Sequence, residues 1–92
     1  MDFNWDPKKA ILNKQKHNIT FEEAVTVFFD PLPKIATDPD HSSNENRYIL
    51  IGHSRKQNLL FVVHLYKEKT DSIRIISARK ATKKEKKDFQ EL

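Results

Sequence analysis

Residues 47–78 read RYILIGH SRKQN LLFVVHLY KEKTD SIRIISA, and this stretch decides the fold. Three runs, Arg47–His53, Leu59–Tyr66 and Ser72–Ala78, are rich in Ile, Leu, Val, Phe and Tyr. Such residues suit a pleated, half-buried surface. Two polar links, Ser54–Asn58 and Lys67–Asp71, separate them. A parallel crossover needs a dozen or more residues, so links this short predict antiparallel hairpins.

On the N-terminal side, Phe3 and Trp5 suggest a short strand or a staple ahead of a helix. Asp6-Pro7 is a helix start, with Asp at the N-cap and Pro at the first helical position. The first helix is expected over Pro7–His17, with a thin apolar face of Ala10, Ile11 and Leu12. Thr20 and Glu23 stand three apart and read as a capping box for a second helix. Phe21, Ala24, Val25 and Phe28 then form one buried stripe, and Asp30-Pro31 ends the helix. Residues 30–46 are turn-rich, with a short strand expected around Pro33–Thr37. On the C-terminal side, Thr82 and Glu85 form a second capping box and open a last helix. The class is therefore α+β. The expectation is a small antiparallel sheet of three to four strands, with two N-terminal helices, one C-terminal helix, and the helices on one side.

Ninety-two residues make one domain, 1–92. A domain this small is marginally stable alone, and a protein partner would help it. At 37% hydrophobic and 10% aromatic the chain is too apolar for disorder. It has no cysteine, which excludes disulfides, thiol nucleophiles and cysteine–zinc sites. The single glycine, Gly52, excludes glycine-rich phosphate loops. Met1–Asp6 does not resemble a secretory leader. The longest apolar run, Leu59–Val63, is too short for a bilayer. A soluble, cytoplasmic protein without disulfides is expected. Its charge is lopsided. Residues 1–66 carry 8 Lys/Arg against 8 Asp/Glu, whereas residues 67–92 carry 9 against 5. The whole excess of +4 thus sits in the last quarter, as for a partner that is a polyanion. A solvated lysine-rich helix explains that excess equally well.

Several polar residues could carry chemistry. Arg74 and His64 interrupt apolar strands. Alternation places Leu60, Val62, His64 and Tyr66 on one face. One hairpin register sets His64 near Ile75 and Val62 near Ser77, which brings Ser77 and Arg79 onto the His64 face. A slip of one residue would undo this. The competing reading of His64 is a half-buried, hydrogen-bonded histidine. On the first helix, Lys9, Asn13, Lys16 and His17 share a face through i+3 and i+4 spacing. This stripe reads either as a binding face or as an ordinary wet face. Asp38, Asp40 and His41 are a faint metal cluster, but no second cluster completes a site, so no metal is expected.

The residues also carry a resemblance along nearly the whole chain. The pieces are Phe3-x-Trp5-Asp6-x-Lys8, Asn13-x-x-Lys16-His17, Phe21-Glu22-Glu23-Ala24 and Asp30-Pro31. They continue as Asp38-x-Asp40-His41-Ser42, Glu45-x-Arg47, Gly52, and Arg74-Ile75-Ile76-Ser77-Ala78-Arg79-x-Ala81-x-x-x-Glu85. In this order and spacing the chain resembles the BrnT family of type II toxins. The resemblance implies a RelE-like fold and metal-independent endoribonuclease activity without a cofactor. It also implies a ribbon-helix-helix antitoxin, BrnA, that covers the toxin in a higher-order complex and supplies the contact with DNA.

Metal-free RNA cleavage uses the 2′-hydroxyl as nucleophile. It needs a group for proton transfer, a task that suits histidine. It also needs cations on the phosphate, a task that suits arginine. The catalytic candidates are Arg79, His17 and Arg74, in that order, then His64, with Glu22 as an orienting group or base. Lys16, Lys80, Lys83 and Lys84 are the RNA-binding candidates. The rival reading is a basic module that binds nucleic acid or protein and does no chemistry.

Overall fold

The computed structural model describes residues 1–38 and 46–91. The elements are β1 (Asp2–Asn4), α1 (Pro7–His17), α2 (Phe21–Val27), β2 (Lys34–Thr37), β3 (Arg47–His53), β4 (Leu59–Lys67), β5 (Ser72–Lys80) and α3 (Lys83–Glu91). The strands form one sheet in the order β1-β5-β4-β3-β2. The two hairpins read from residues 47–78 are its centre, and the pairs β2–β3, β3–β4 and β4–β5 are antiparallel. The sheet is larger than expected, with five strands. It is also mixed, because β1 pairs in parallel with β5, Phe3 beside Ile73. A short strand at Phe3 is one of the two readings the N-terminus offers, but its pairing with β5 depends on a partner far along the chain and cannot be read from three residues.

Alternation along β4 sends Leu60 and Val62 inward, where they meet Leu50, Ile73, Ile75 and Ala78. Helix α2 covers this face with Phe21, Ala24 and Val27, all fully buried, beside Ile19. Gly52 makes that approach possible. A Cβ there would stand 2.8 Å from Asp30 Oδ2 and 3.0 Å from Val27 Cγ1, so the Asp30 carboxylate would have to shift and Val27 to give way. Asp30 fastens the end of α2 to β3, accepting from the His53 amide at 2.6 Å.

The β4–β5 register contains a bulge. Val63 faces Ser77 but His64 faces Ile75, so Ile76 is extra. A bulge shifts side chains by one position, and one position reverses the face. Ile73, Ile75 and Ala78 therefore all point into the core although their spacing is uneven. Ser77 and Arg79 pair with Val63 and Phe61 on the outer face. The expected register holds at His64–Ile75 and fails beyond it, so Arg79 does not share the His64 face.

The two capping boxes behave differently. At α3 the box is complete: Glu85 N–H donates to Thr82 Oγ1 at 3.1 Å and Thr82 N–H to Glu85 Oε1 at 2.9 Å. At α2 only the Thr20 half forms. The Glu23 carboxylate turns away to accept from Ser54 Oγ at 2.7 Å and Asn58 Nδ2 at 2.8 Å, which clamps the β3–β4 turn onto α2. The helices are also not all on one side. Glu85 and Phe89 of α3 touch Arg79 and His53, both outer-face residues, so α3 crosses one end of the outer face.

Candidate functional site

β1 covers only the first three residues of β5 and leaves the rest of that edge open. Asn13 closes part of it. Its Oδ1 accepts from Ala78 N–H at 3.0 Å, and its Nδ2 donates to the Ala78 carbonyl at 2.8 Å and the Ile19 carbonyl at 3.0 Å. One side-chain amide thus stands in for a neighbouring strand. This buries Asn13, so it is not part of a wet face. It also sets α1 along β5, and the basic stripe follows. Lys9, Leu12, Asn13, Lys16 and His17 line a groove of about 200 Å³ with Ile76 and Ser77. His17 is half-buried there, and Lys9 and Lys16 are exposed.

Arg79 lies two residues beyond Ser77 on the same face of β5, about 7 Å along the strand. Its guanidinium stacks over Phe61 at 4.1 Å from the ring centroid. It forms a fork with Glu85, Nη1 to Oε1 at 2.8 Å and Nη2 to Oε2 at 2.9 Å. The bonds to Glu85 push the Arg79 pKa up. The same pairing, with Arg79 as the main cause, holds the Glu85 carboxyl down at about 2. Both groups are therefore charged at any physiological pH.

The other candidates are more dispersed. The bulge puts Arg74 on the same outer face as Arg79, although five positions should place them on opposite faces. Arg74 is exposed, donates to Asn4 Oδ1 at 2.8 Å, and lines a separate hollow with Asp2, Leu65 and Lys67. Lys80, Lys83 and Lys84 are exposed at the end of β5 and the start of α3. Glu22 is exposed on α2, away from the groove. His64 is 2% exposed on the core face. Its ring packs edge-on to Phe28 at 4.9 Å, and burial holds its pKa at about 4. Among the described residues its Nδ1 has no hydrogen-bond partner, while a backbone hydrogen bond to Val62 works against the burial, so the ring is a buried core histidine with one of its two nitrogens unsatisfied.

Asp38 is buried and receives Arg47 Nε at 3.0 Å. Asp40 and His41 lie outside the described residues. Among the described residues, no three His, Asp or Glu side chains gather as a metal site would need. Sequence reading missed the structural task of Asn13 and the turn of Glu23 toward Ser54. It also missed the pairing of Arg79 with Glu85. A local signal existed only for the last, since the capping box already oriented Glu85 toward the end of β5.

Comparison with known proteins agrees with this architecture. The crystal structure of the Brucella abortus ribonuclease toxin BrnT superposes with a TM-score of 0.70 at 20% identity, over 90% of this chain and 99% of that one. At that identity the likeness concerns the fold. No curated protein matches the sequence. Among the described residues, no helix is long and apolar enough to cross a membrane. The family described as "Ribonuclease toxin, BrnT, of type II toxin-antitoxin system" matches residues 5–85. With the sheet, its helices and nearly the whole chain accounted for, this protein belongs to the BrnT family of ribonuclease toxins of type II toxin–antitoxin systems.

Proposed function

We propose that this chain is an endoribonuclease that cuts RNA without a metal ion. We infer also that a BrnA-like ribbon-helix-helix antitoxin restrains it in the cytoplasm, in a higher-order complex that meets DNA only through the antitoxin. One observation carries the enzymatic part. His17 and Lys16 face Ser77 across a groove, and Arg79 follows Ser77 on the same strand face.

The chemistry follows from that placement. The RNA 2′-oxygen attacks the adjacent phosphorus, a 2′-O–P bond forms, and the P–O5′ bond breaks. His17 carries a proton between these oxygens, a task suited to imidazole. Arg79 offsets the negative charge that develops on the phosphate. Lys16, Lys80, Lys83 and Lys84 hold the flanking backbone, with Arg74 further along the outer face. Glu22 and His64 have no part in this reading, being away from the groove and on the opposite face.

The test is cleavage of total RNA by the purified protein in EDTA, with 2′,3′-cyclic phosphate ends expected. Arg79→Ala should lower the rate about 100- to 1000-fold, and His17→Ala about 100-fold or more, with the proteins still folded. Activity that disappears with chelator and returns with Mg²⁺ would overturn the metal-free route. RNA binding without cleavage would establish the non-catalytic module instead.

A further inference from the structure

Arg79 is held on three sides, and the side left open fits a phosphate. Arginine has five N–H donors in one plane. Nη1 uses two, toward Glu85 Oε1 at 2.8 Å and the Lys80 carbonyl at 3.2 Å. Nη2 uses one, toward Glu85 Oε2 at 2.9 Å. Phe61 covers one face of the plane. Among the described residues nothing takes the remaining two donors, Nε–H and the second N–H of Nη2. These two project from one edge and form the second fork of the guanidinium, matched to a pair of phosphate oxygens. The Arg79 side chain as a whole is 34% exposed.

The holder is itself held. Glu85 Oε1 also accepts the Thr82 N–H at 2.9 Å, and one turn later Phe89 packs against the His53 ring at 5.9 Å. The capping box of α3 and the clamp on Arg79 thus use one carboxylate. We propose that Glu85 is a positioning residue for cleavage: it fixes the Arg79 guanidinium so that its Nε–Nη2 edge faces the scissile phosphate. This rests on Arg79 being the phosphate-binding cation. It assigns α3 a task beyond adding positive charge.

The experiment compares Glu85→Gln, Glu85→Ala, Thr82→Ala and Arg79→Ala. The readouts are cleavage of total RNA, RNA affinity, thermal unfolding, and the NMR signals of the Arg79 guanidinium. Glu85→Ala should lower kcat by up to about 100-fold, the scale of a misplaced catalytic group, with RNA affinity changed far less. In wild type the Arg79 Nη protons should be slowed and resolved by the fork, and in Glu85→Gln they should average. Thr82→Ala weakens the cap but keeps the clamp, so it should lower Tm and leave kcat unchanged. Adding Glu85→Ala to Arg79→Ala should cost nothing further.

If Arg79→Ala is inactive while Glu85→Ala cleaves at the wild-type rate, the positioning role is wrong and the reading of Arg79 survives. Faster cleavage by Glu85→Ala would show that the carboxylate competes with phosphate, which also overturns the proposal. Full activity of Arg79→Ala would remove both.

Discussion

His64 shows how burial decides what a residue can do. Desolvation disfavours the charged imidazolium and lowers the folded-state pKa from 6.5 to about 4. Above pH 6.5 the ring is neutral in both folded and unfolded chains, and the native state is fully favoured. As pH falls below 6.5 the unfolded chain takes a proton that the folded one refuses. Stability is then lost progressively until about pH 4, by about 3 kcal/mol in total. Roughly 2 kcal/mol of this should be gone at pH 5. Replacing the ring by Phe removes the titrating group and the unpartnered Nδ1 among Phe28 and Tyr48. Urea unfolding at pH 7 and pH 5 should therefore show a smaller acid loss in His64→Phe than in wild type. Equal losses would mean that other groups carry the acid sensitivity.

Among the elements, α1 and β5 matter most, because their contact builds the groove. The contact depends less on apolar area than is usual for a helix on a sheet, since Ile11 and Leu12 are 60% and 63% exposed. Asn13 contributes what the apolar face lacks. Asn13→Ala strands the Ala78 N–H and carbonyl and the Ile19 carbonyl, and each stranded buried group costs about 1–3 kcal/mol. Asn13→Asp should be no better, because it sets a carboxylate oxygen against two carbonyls. Both variants should unfold at lower denaturant, expose the Ala78 amide to hydrogen exchange, and cleave RNA poorly because His17 loses its place. An Ala78 amide that stays equally protected in Asn13→Ala would show that another contact seats the helix. The bulge at Ile76 works with this contact, since it turns Ala78 inward and Arg79 outward while both remain on one strand.

At the scale of the whole molecule, charge and size point to the partner. The excess of +4 lies in residues 67–92, which form the end of β4, then β5 and α3. An acidic or amphipathic antitoxin segment over this region would cover Arg79 and Lys80 and exclude RNA from the same cations. A tight complex typically buries about 1,200–2,000 Å² in total, about half of it on each partner, so roughly a tenth or more of the toxin's 6492 Å² accessible surface would be covered. Binding on that scale would raise the toxin's Tm by mass action. Hydrogen exchange should show antitoxin protection across β5 and α3, and RNA should compete with it. Protection confined to residues 1–46, with RNA and antitoxin bound together at undiminished affinity, would mean that inhibition acts through a change of shape.

Local signals in the chain specify the α+β class and most of the elements. Both hairpins, the span Pro7–His17, the Asp6 and Thr20 caps and the full Thr82–Glu85 box rest on signals within a few residues, so they were legible. The Lys9, Lys16 and His17 stripe was legible too, from helical spacing alone. Arg79 was named through the family motif and the fit of arginine to phosphate, while the register read for it put it on the wrong face. Tertiary structure alone decided which face Arg79 occupies, why His64 is neutral, and that Asn13 closes a strand edge. It also decided whether a capping glutamate stays on its helix, as Glu85 does, or leaves for Ser54 and Asn58, as Glu23 does. In each case the deciding partner is distant in the chain or the outcome turns on one residue of register. A period-two pattern cannot report the extra residue of a bulge, and a side chain's hydrogen-bond choice depends on groups that only folding brings near.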